Sequence, residues 1–216
     1  MTSPTDVAAF YARFEQHPGD RIKLFGALRK HLPAARTVLY PGCFVDVAPS
    51  VWFGDVTYLD LDRRAARFFG ELDGVTDLVA SMRAAHPVVD EVDPRISFIH
   101  QDYRQPLPLP EHSVDVLVSL YAGLISEHCT RYLAAGGTLL VNPSHGDAAM
   151  ADLDPRYQLR AVVTSGASGY RVSTEGLESR LIPRKAQAIS VETLHQSGKG
   201  IVYTKPAFAY LFERMA

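Results

Sequence analysis

The chain has 216 residues, of which 47% are hydrophobic and 21% charged, so it can bury one sizeable core as an ordinary globular domain. A formal net charge of -2 supplies no global field for nucleic acid or for an anionic membrane, and no run approaches the roughly 20 apolar residues of a spanning helix. Two cysteines, Cys43 and Cys129, argue against a disulfide framework and fit a reducing compartment. The Met1 to Phe10 stretch lacks the basic and apolar regions of a secretory signal, so a cytoplasmic protein is expected.

From Thr5 to His31, Val7, Phe10, Tyr11 and Phe14, then Ile22, Leu24, Phe25 and Leu28, recur at helical spacing, interrupted by His17-Pro18-Gly19. Two helices therefore precede the first strand. Thr37 to Tyr40 and Val56 to Leu61 read as buried strands, the first stopped by Pro41-Gly42. Arg63 to Ala85 is helical in pattern, and Arg63, Arg64 and Arg67 read as a solvated face, as do Arg180, Arg184 and Lys185. Arg95 to His100 and Val114 to Ser119 are the third and fourth strands. Ile125 to Ala134 reads as a helix stopped by Gly136-Gly137, before a fifth strand over Thr138 to Val141. Further on, the patterns predict a strand over Leu159 to Thr164, a loop over Ser165 to Gly169, a helix over Ser190 to Gln196 and a last strand over Phe208 to Arg214. Alternating strands and helices imply a parallel sheet with right-handed crossovers.

Ligands of open parallel sheets sit in the crevice at the carboxyl ends of the strands, so the residues just after each strand matter most. Here they are Pro41-Gly42-Cys43, Asp60, Asp102-Tyr103 and Ser119-Leu120-Tyr121. With the strands they form an ordered series: Val38-Leu39-Tyr40-Pro41-Gly42-Cys43, Tyr58-Leu59-Asp60-Leu61-Asp62, Phe98-Ile99-His100-Gln101-Asp102, Val114 to Ser119, and Leu133 to Leu140. In order and spacing this series resembles the motifs of the class I S-adenosylmethionine-dependent methyltransferases over about Thr37 to Asn142.

The resemblance implies an α/β fold with a doubly wound, mostly parallel seven-stranded sheet whose last strand is antiparallel. It also implies a single domain: a helical cap over 1–35, a cofactor-binding half over 36–145 and a C-terminal half over 146–216. S-adenosylmethionine would lie across the strand ends, against Gly42, Cys43, Asp46, Asp60, Leu61, Asp102, Tyr103 and Ser119. Gly42 would allow close backbone approach. Asp60 would accept from the ribose hydroxyls and Asp102 from the adenine amino group, with Leu61 and Tyr103 flanking the base.

The family has an acid where Tyr40 stands and glycines where Phe44 and Asp46 stand. Asp46 at this position would repel a pyrophosphate, which disfavours a dinucleotide oxidoreductase, whereas it could pair with the cationic sulfonium and ammonium of S-adenosylmethionine. Methyl transfer needs a base only when the acceptor must lose a proton, so no catalytic residue is assigned. Tyr121 and His145, after the fourth and fifth strands, are candidates for substrate contact, with Glu127 and His128 on the next helix. Asn142-Pro143-Ser144-His145 is similar to the Asn-Pro-Pro-aromatic motif of amino-methylating nucleic-acid enzymes, but it follows the wrong strand. No metal-ligand set, nucleophile elbow or phosphate loop is evident. The expectation is a methyltransferase for a small molecule, with neither nucleic acid nor membrane as partner. The alternative is a catalytically inactive relative that binds a ligand or a protein.

Overall fold

The computed structural model describes residues 6–15, 17, 19–86, 93–167, 169–185 and 189–216. Thr5, Pro18 and Ser168, which fall in the expected first helix, the break after it and the expected glycine-rich loop, lie outside the described residues, as do residues 1–4 of the Met1 to Phe10 stretch. The chain forms two compact units, Met1–Gln105 and Pro106–Ala216.

The first unit opens with α1 (Val7–Phe14) and α2 (Asp20–His31), and Asp6 caps α1 by accepting the Ala9 N–H at 2.9 Å. There follow β1 (Thr37–Pro41), a short α3 (Pro49–Trp52), β2 (Asp55–Asp60), α4 (Arg63–Gly70), α5 (Leu72–Ala84) and β3 (Arg95–His100). The three strands are parallel in the order β3-β2-β1, with Tyr40 beside Tyr58 and Tyr58 beside Phe98. Val38, Leu39, Tyr58 and Leu59 are buried, as the near-continuous apolar runs of a two-sided parallel sheet require. The helical pattern of Arg63 to Ala85 forms two helices, broken at Glu71, whose φ of -91° and ψ of 58° are not helical. Gly74 lets α1 approach α5, because a Cβ there would sit 2.9 Å from the Val7 side chain.

The second unit contains β4 (Val114–Ser119), α6 (Ile125–Cys129), β5 (Leu133–Val141), α7 (Asp147–Leu153), β6 (Tyr157–Gly166), β7 (Gly169–Ser173), α8 (Val191–Ser197) and β8 (Ala209–Arg214). Its strand order is β4-β5-β8-β6-β7; β5 runs parallel to β4, while β8 is antiparallel to both β5 and β6. The antiparallel last strand is therefore present. The described residues hold eight strands where seven were expected, because the loop expected around Ser165 and Gly169 is part of a β6–β7 ladder, with Gly166 paired to Gly169 and Val163 to Val172.

The helix expected over Ile125 to Ala134 ends at Cys129, passes through one 3-10 turn at Thr130–Tyr132 and gives way to β5 at Leu133. Leu133 pairs with Val114, yet Val116 pairs with Thr138, so Ala134 to Gly137 bulge out of the ladder. Gly136 takes a left-handed φ of +77°, and a Cβ on Gly137 would lie 2.8 Å from the Ala134 carbonyl oxygen. The glycines thus shape a bulge inside a strand instead of ending a helix. No helix among the described residues is long and apolar enough to cross a membrane.

Candidate functional site

At the carboxyl end of β1 the chain turns sharply. Gly42 adopts φ +67°, and its N–H returns to the Leu59 carbonyl of β2 at 2.7 Å. Cys43 is buried beside the same carbonyl, and burial pushes its thiol well above the usual range, which makes it inert as a nucleophile. Phe44 also has a left-handed backbone, φ +49°, a conformation that costs a residue with a Cβ about 1 kcal/mol. That conformation aims the Phe44 N–H at Asp60, whose Oδ2 accepts it at 2.7 Å, and the Asp62 N–H meets Asp60 Oδ1 at 2.8 Å. Two backbone donors therefore fix the Asp60 carboxylate at the end of β2. The Phe44 ring lies against Phe14 and Phe10 of α1, at centroid separations of 5.7 and 6.0 Å, with the Arg64 guanidinium 4.8 Å above it.

Asp46 does not present its charge at the surface of this turn. It is 1% exposed; the Tyr40 hydroxyl donates to Oδ2 at 3.2 Å, the Ala48 N–H to Oδ1 at 3.1 Å, and Arg21 Nε of α2 stands 3.7 Å away. Burial raises its carboxyl to about 6, against the opposing pull of Arg21. The expected pairing of Asp46 with a cationic ligand is corrected accordingly: the carboxylate is satisfied from within the protein. Tyr40 and Asp46 act together, the tyrosine reaching from the position of the absent acid to a carboxylate six residues on.

The remaining predicted residues of the first unit lie along the strand ends. Leu61 is 62% exposed, an apolar side chain left open beside Asp60, and its carbonyl accepts the His100 Nε2 proton at 3.0 Å. Asp102 follows β3, and its carboxylate takes the Arg104 N–H at 3.0 Å and clasps the Arg104 guanidinium, with Nη2 at 2.6 Å. Tyr103 is half-buried next to it. Asp62 uses an identical clasp on Arg64 while capping α4, which holds its carboxyl below the usual range.

In the second unit Ser119 is buried, and its hydroxyl donates to Oδ2 of Asp147 at the start of α7. Asp147 also accepts the Ser126 hydroxyl at 2.6 Å and the Ser126 N–H at 3.1 Å, and burial raises it to about 6. Ser119 thus ties the end of β4 to α6 and α7 through Asp147. Tyr121 and His145 are exposed, with left-handed φ of +62° and +51°. One side chain links them: Asn142 Oδ1 accepts the Tyr121 N–H at 3.3 Å and the Ser144 hydroxyl at 2.7 Å, and Ser144 Oγ lies 3.1 Å from His145 Nδ1. Glu127 instead pairs with His195 of α8 at 2.9 Å, at the edge of a cleft of about 260 Å³ that also includes Met150, Asp154 and Arg156. Arg21 and Asp147 were not legible as site residues, since neither falls in a motif and both act through contacts distant in sequence.

No family model and no curated protein matches the sequence. Among solved structures, a SAM-dependent O-methyltransferase of Thermotoga maritima is similar over 99% of this chain and 72% of its own, at 11% identity and a TM-score of 0.51. The fold is a Rossmann-like methyltransferase fold. An O-methyltransferase of Bacillus cereus solved in complex with SAH matches over 77% of this chain and 86% of its own, with 13% identity and a TM-score of 0.46. A tRNA methyltransferase of Aquifex aeolicus matches over 90% and 68%, with 12% identity and a TM-score of 0.43. Within this fold the Tyr40–Asp46 pairing follows β1 and the buttressed Asp60 ends β2.

Proposed function

We propose that the chain is a cytoplasmic S-adenosylmethionine-dependent methyltransferase for a small molecule. The observation that carries this reading is Asp60. A carboxylate at the end of β2, held by two backbone N–H groups at 2.7 and 2.8 Å, keeps further lone pairs for the two hydroxyls of a ribose. The adenosine half of the cofactor fits this surface, with Leu61 open for the base and Asp102 at the next strand end. The methionine half would be held by the backbone at Gly42 and Phe44, since Asp46 is committed to Tyr40 and Arg21. When bound, the cofactor supplies an electrophilic methyl group on a sulfonium. The net charge of -2 supports a small acceptor over a nucleic acid.

The packing of Phe44 against Phe10 and Phe14 favours a second reading, a ligand-binding relative without turnover, because it anchors α1 on the turn that a cofactor must touch. Calorimetric titration with S-adenosylmethionine and S-adenosylhomocysteine, beside NADH as control, tests the first reading. Micromolar binding, about -8 kcal/mol, that weakens at least tenfold in Asp60→Ala is expected. Binding of neither S-adenosyl compound overturns it.

A further inference from the structure

The cleft of about 260 Å³ in the second unit is built from the end of α7, the start of α8 and Glu127 of α6. Leu153 closes α7, and Asp154 to Arg156 lead into β6. Because β8 is antiparallel to both β5 and β6, those two strands run the same way and Tyr157 is the amino end of β6. Ligands of such a sheet collect at the carboxyl ends, so this cleft belongs to a different face of the unit. Met150, at its floor, is buried, whereas Leu153 and Val191 are 42% and 40% exposed. Water among these three side chains finds few polar partners, and an apolar body that displaces it is favoured.

The charges around this apolar surface do not cancel. Both Asp154 oxygens are taken by Arg156, whose Nε donates at 3.0 and 3.1 Å and Nη2 at 2.6 Å, so that pair is neutral as a unit. Glu127 Oε2 accepts the His195 Nε2 proton at 2.9 Å, since an ionised carboxylate can only accept. His128 Nε2 stands 3.7 Å from the same oxygen, beyond hydrogen-bond reach. Among the described residues no hydrogen bond occupies Glu127 Oε1. With both imidazoles neutral, the cleft keeps an uncompensated negative charge and an open acceptor oxygen.

One short helix sets both features. Val191 and His195 are four residues apart and share a face of α8, so the helix that supplies an apolar wall also orients the carboxylate. Its start is fixed by a capping box, in which the Ser190 N–H donates to Thr193 Oγ1 at 2.9 Å and the Thr193 N–H to Ser190 Oγ at 3.3 Å. Leu194 pins it to Ala149 and Met150. No aromatic ring lines the cleft among the described residues, which removes the cage that a quaternary ammonium needs.

We propose that this cleft binds a small primary amine, with its ammonium on Glu127 and a compact apolar body on Met150, Leu153 and Val191. The ammonium supplies the donors that Oε1 lacks, in a charge-assisted contact. A carboxylate of the same shape meets like charge at Glu127 and finds Arg156 already clasped. The inference is independent of the methyltransferase reading.

Calorimetric titration and 1H–15N chemical-shift mapping of the whole chain with benzylamine at mildly alkaline pH test it. The controls are phenylacetate, which reverses the charge, methylamine, which lacks the body, and benzyltrimethylammonium, which lacks the N–H donors. Benzylamine should bind with a dissociation constant below about 1 mM and each control about tenfold or more weaker, with shifts centred on residues 150–156 and 191–195. Glu127→Gln, whose side-chain oxygen still accepts from His195, should weaken benzylamine by about tenfold or more at an unchanged melting temperature. Leu153→Ser, at an exposed position, should do the same. Should Glu127→Gln fail to fold, Leu153→Ser and the phenylacetate control decide. No benzylamine binding below about 1 mM, any control within about tenfold of it, unchanged affinity in a folded variant, or shifts centred on the strand ends overturns the proposal.

Discussion

Replacing Asp46 by asparagine should make the protein more stable relative to wild type as pH rises, and the size of the effect follows from burial. The carboxyl is buried with Tyr40, Ala48 and Arg21 as its partners, and is pushed up from 3.8 to about 6. Folded protein therefore binds this proton more tightly than unfolded protein does. The stability contributed by the protonated group is fully present below about pH 4, is lost as pH rises to about 6, and stays lost above that. A difference of about two units corresponds to roughly 3 kcal/mol. Asparagine cannot ionise, and Arg21 stays charged throughout the window, so its loss of a partner adds a constant offset. The second buried acid, Asp147, also near 6, is present in both proteins and cancels. Urea unfolding of wild type and Asp46→Asn at pH 4, 5, 6 and 7 reads the difference directly. The variant's stability minus that of wild type should climb by about 3 kcal/mol across the series. A difference that does not change with pH would refute the placement of an ionisable carboxyl in a dry interior.

Two further substitutions probe the turns that carry the site. Phe44→Gly relieves a left-handed φ of +49° worth about 1 kcal/mol but removes a ring packed on Phe10 and Phe14, worth about 3 kcal/mol, so urea unfolding should show a net loss of about 2 kcal/mol; a variant as stable as wild type would show that α1 is not anchored through this ring. Gly200→Ala places a methyl group 2.0 Å from the Pro143 carbonyl and must displace the backbone, so a destabilisation of about 1 to 3 kcal/mol is expected in thermal melts. An unchanged melting temperature would mean that Gly200 does not brace the turn.

Arg95–His100 and Val114–Ser119 are legible residue for residue, because each is an apolar run with polar or turn residues on both sides and no competing period. The ordered series of strand ends was likewise enough to indicate the methyltransferase fold, since strand order and motif order follow the chain. Local pattern misled where two structures share it. Leu133-Ala134-Ala135 suits a helix by propensity, yet the ladder to Val114 draws Leu133 into a strand and Gly136-Gly137 absorb the surplus residues. The strand Gly169–Ser173 escaped notice because serine and glycine at a hairpin tip look like an open loop.

The sequence by itself determined that a carboxylate ends β2 and another follows β3, that glycine turns the chain after β1, and that Tyr40, Phe44 and Asp46 stand where the motif it resembles has an acid and two glycines. Only the tertiary structure decided what those replacements do. Tyr40 and Asp46 are six residues apart, and nothing local shows that the hydroxyl reaches the carboxylate or that Arg21, from a helix before the sheet, supplies the countercharge. Nor does anything local show that the Ser119 hydroxyl donates to Asp147, 28 residues later. The link between the turns after β4 and β5 was equally invisible in sequence, because it depends on one backbone N–H after β4 meeting an amide oxygen after β5. A side chain's chemical type is written in the chain, but its protonation, its partner and the direction of its lone pairs are set by neighbours that only folding brings within hydrogen-bond reach.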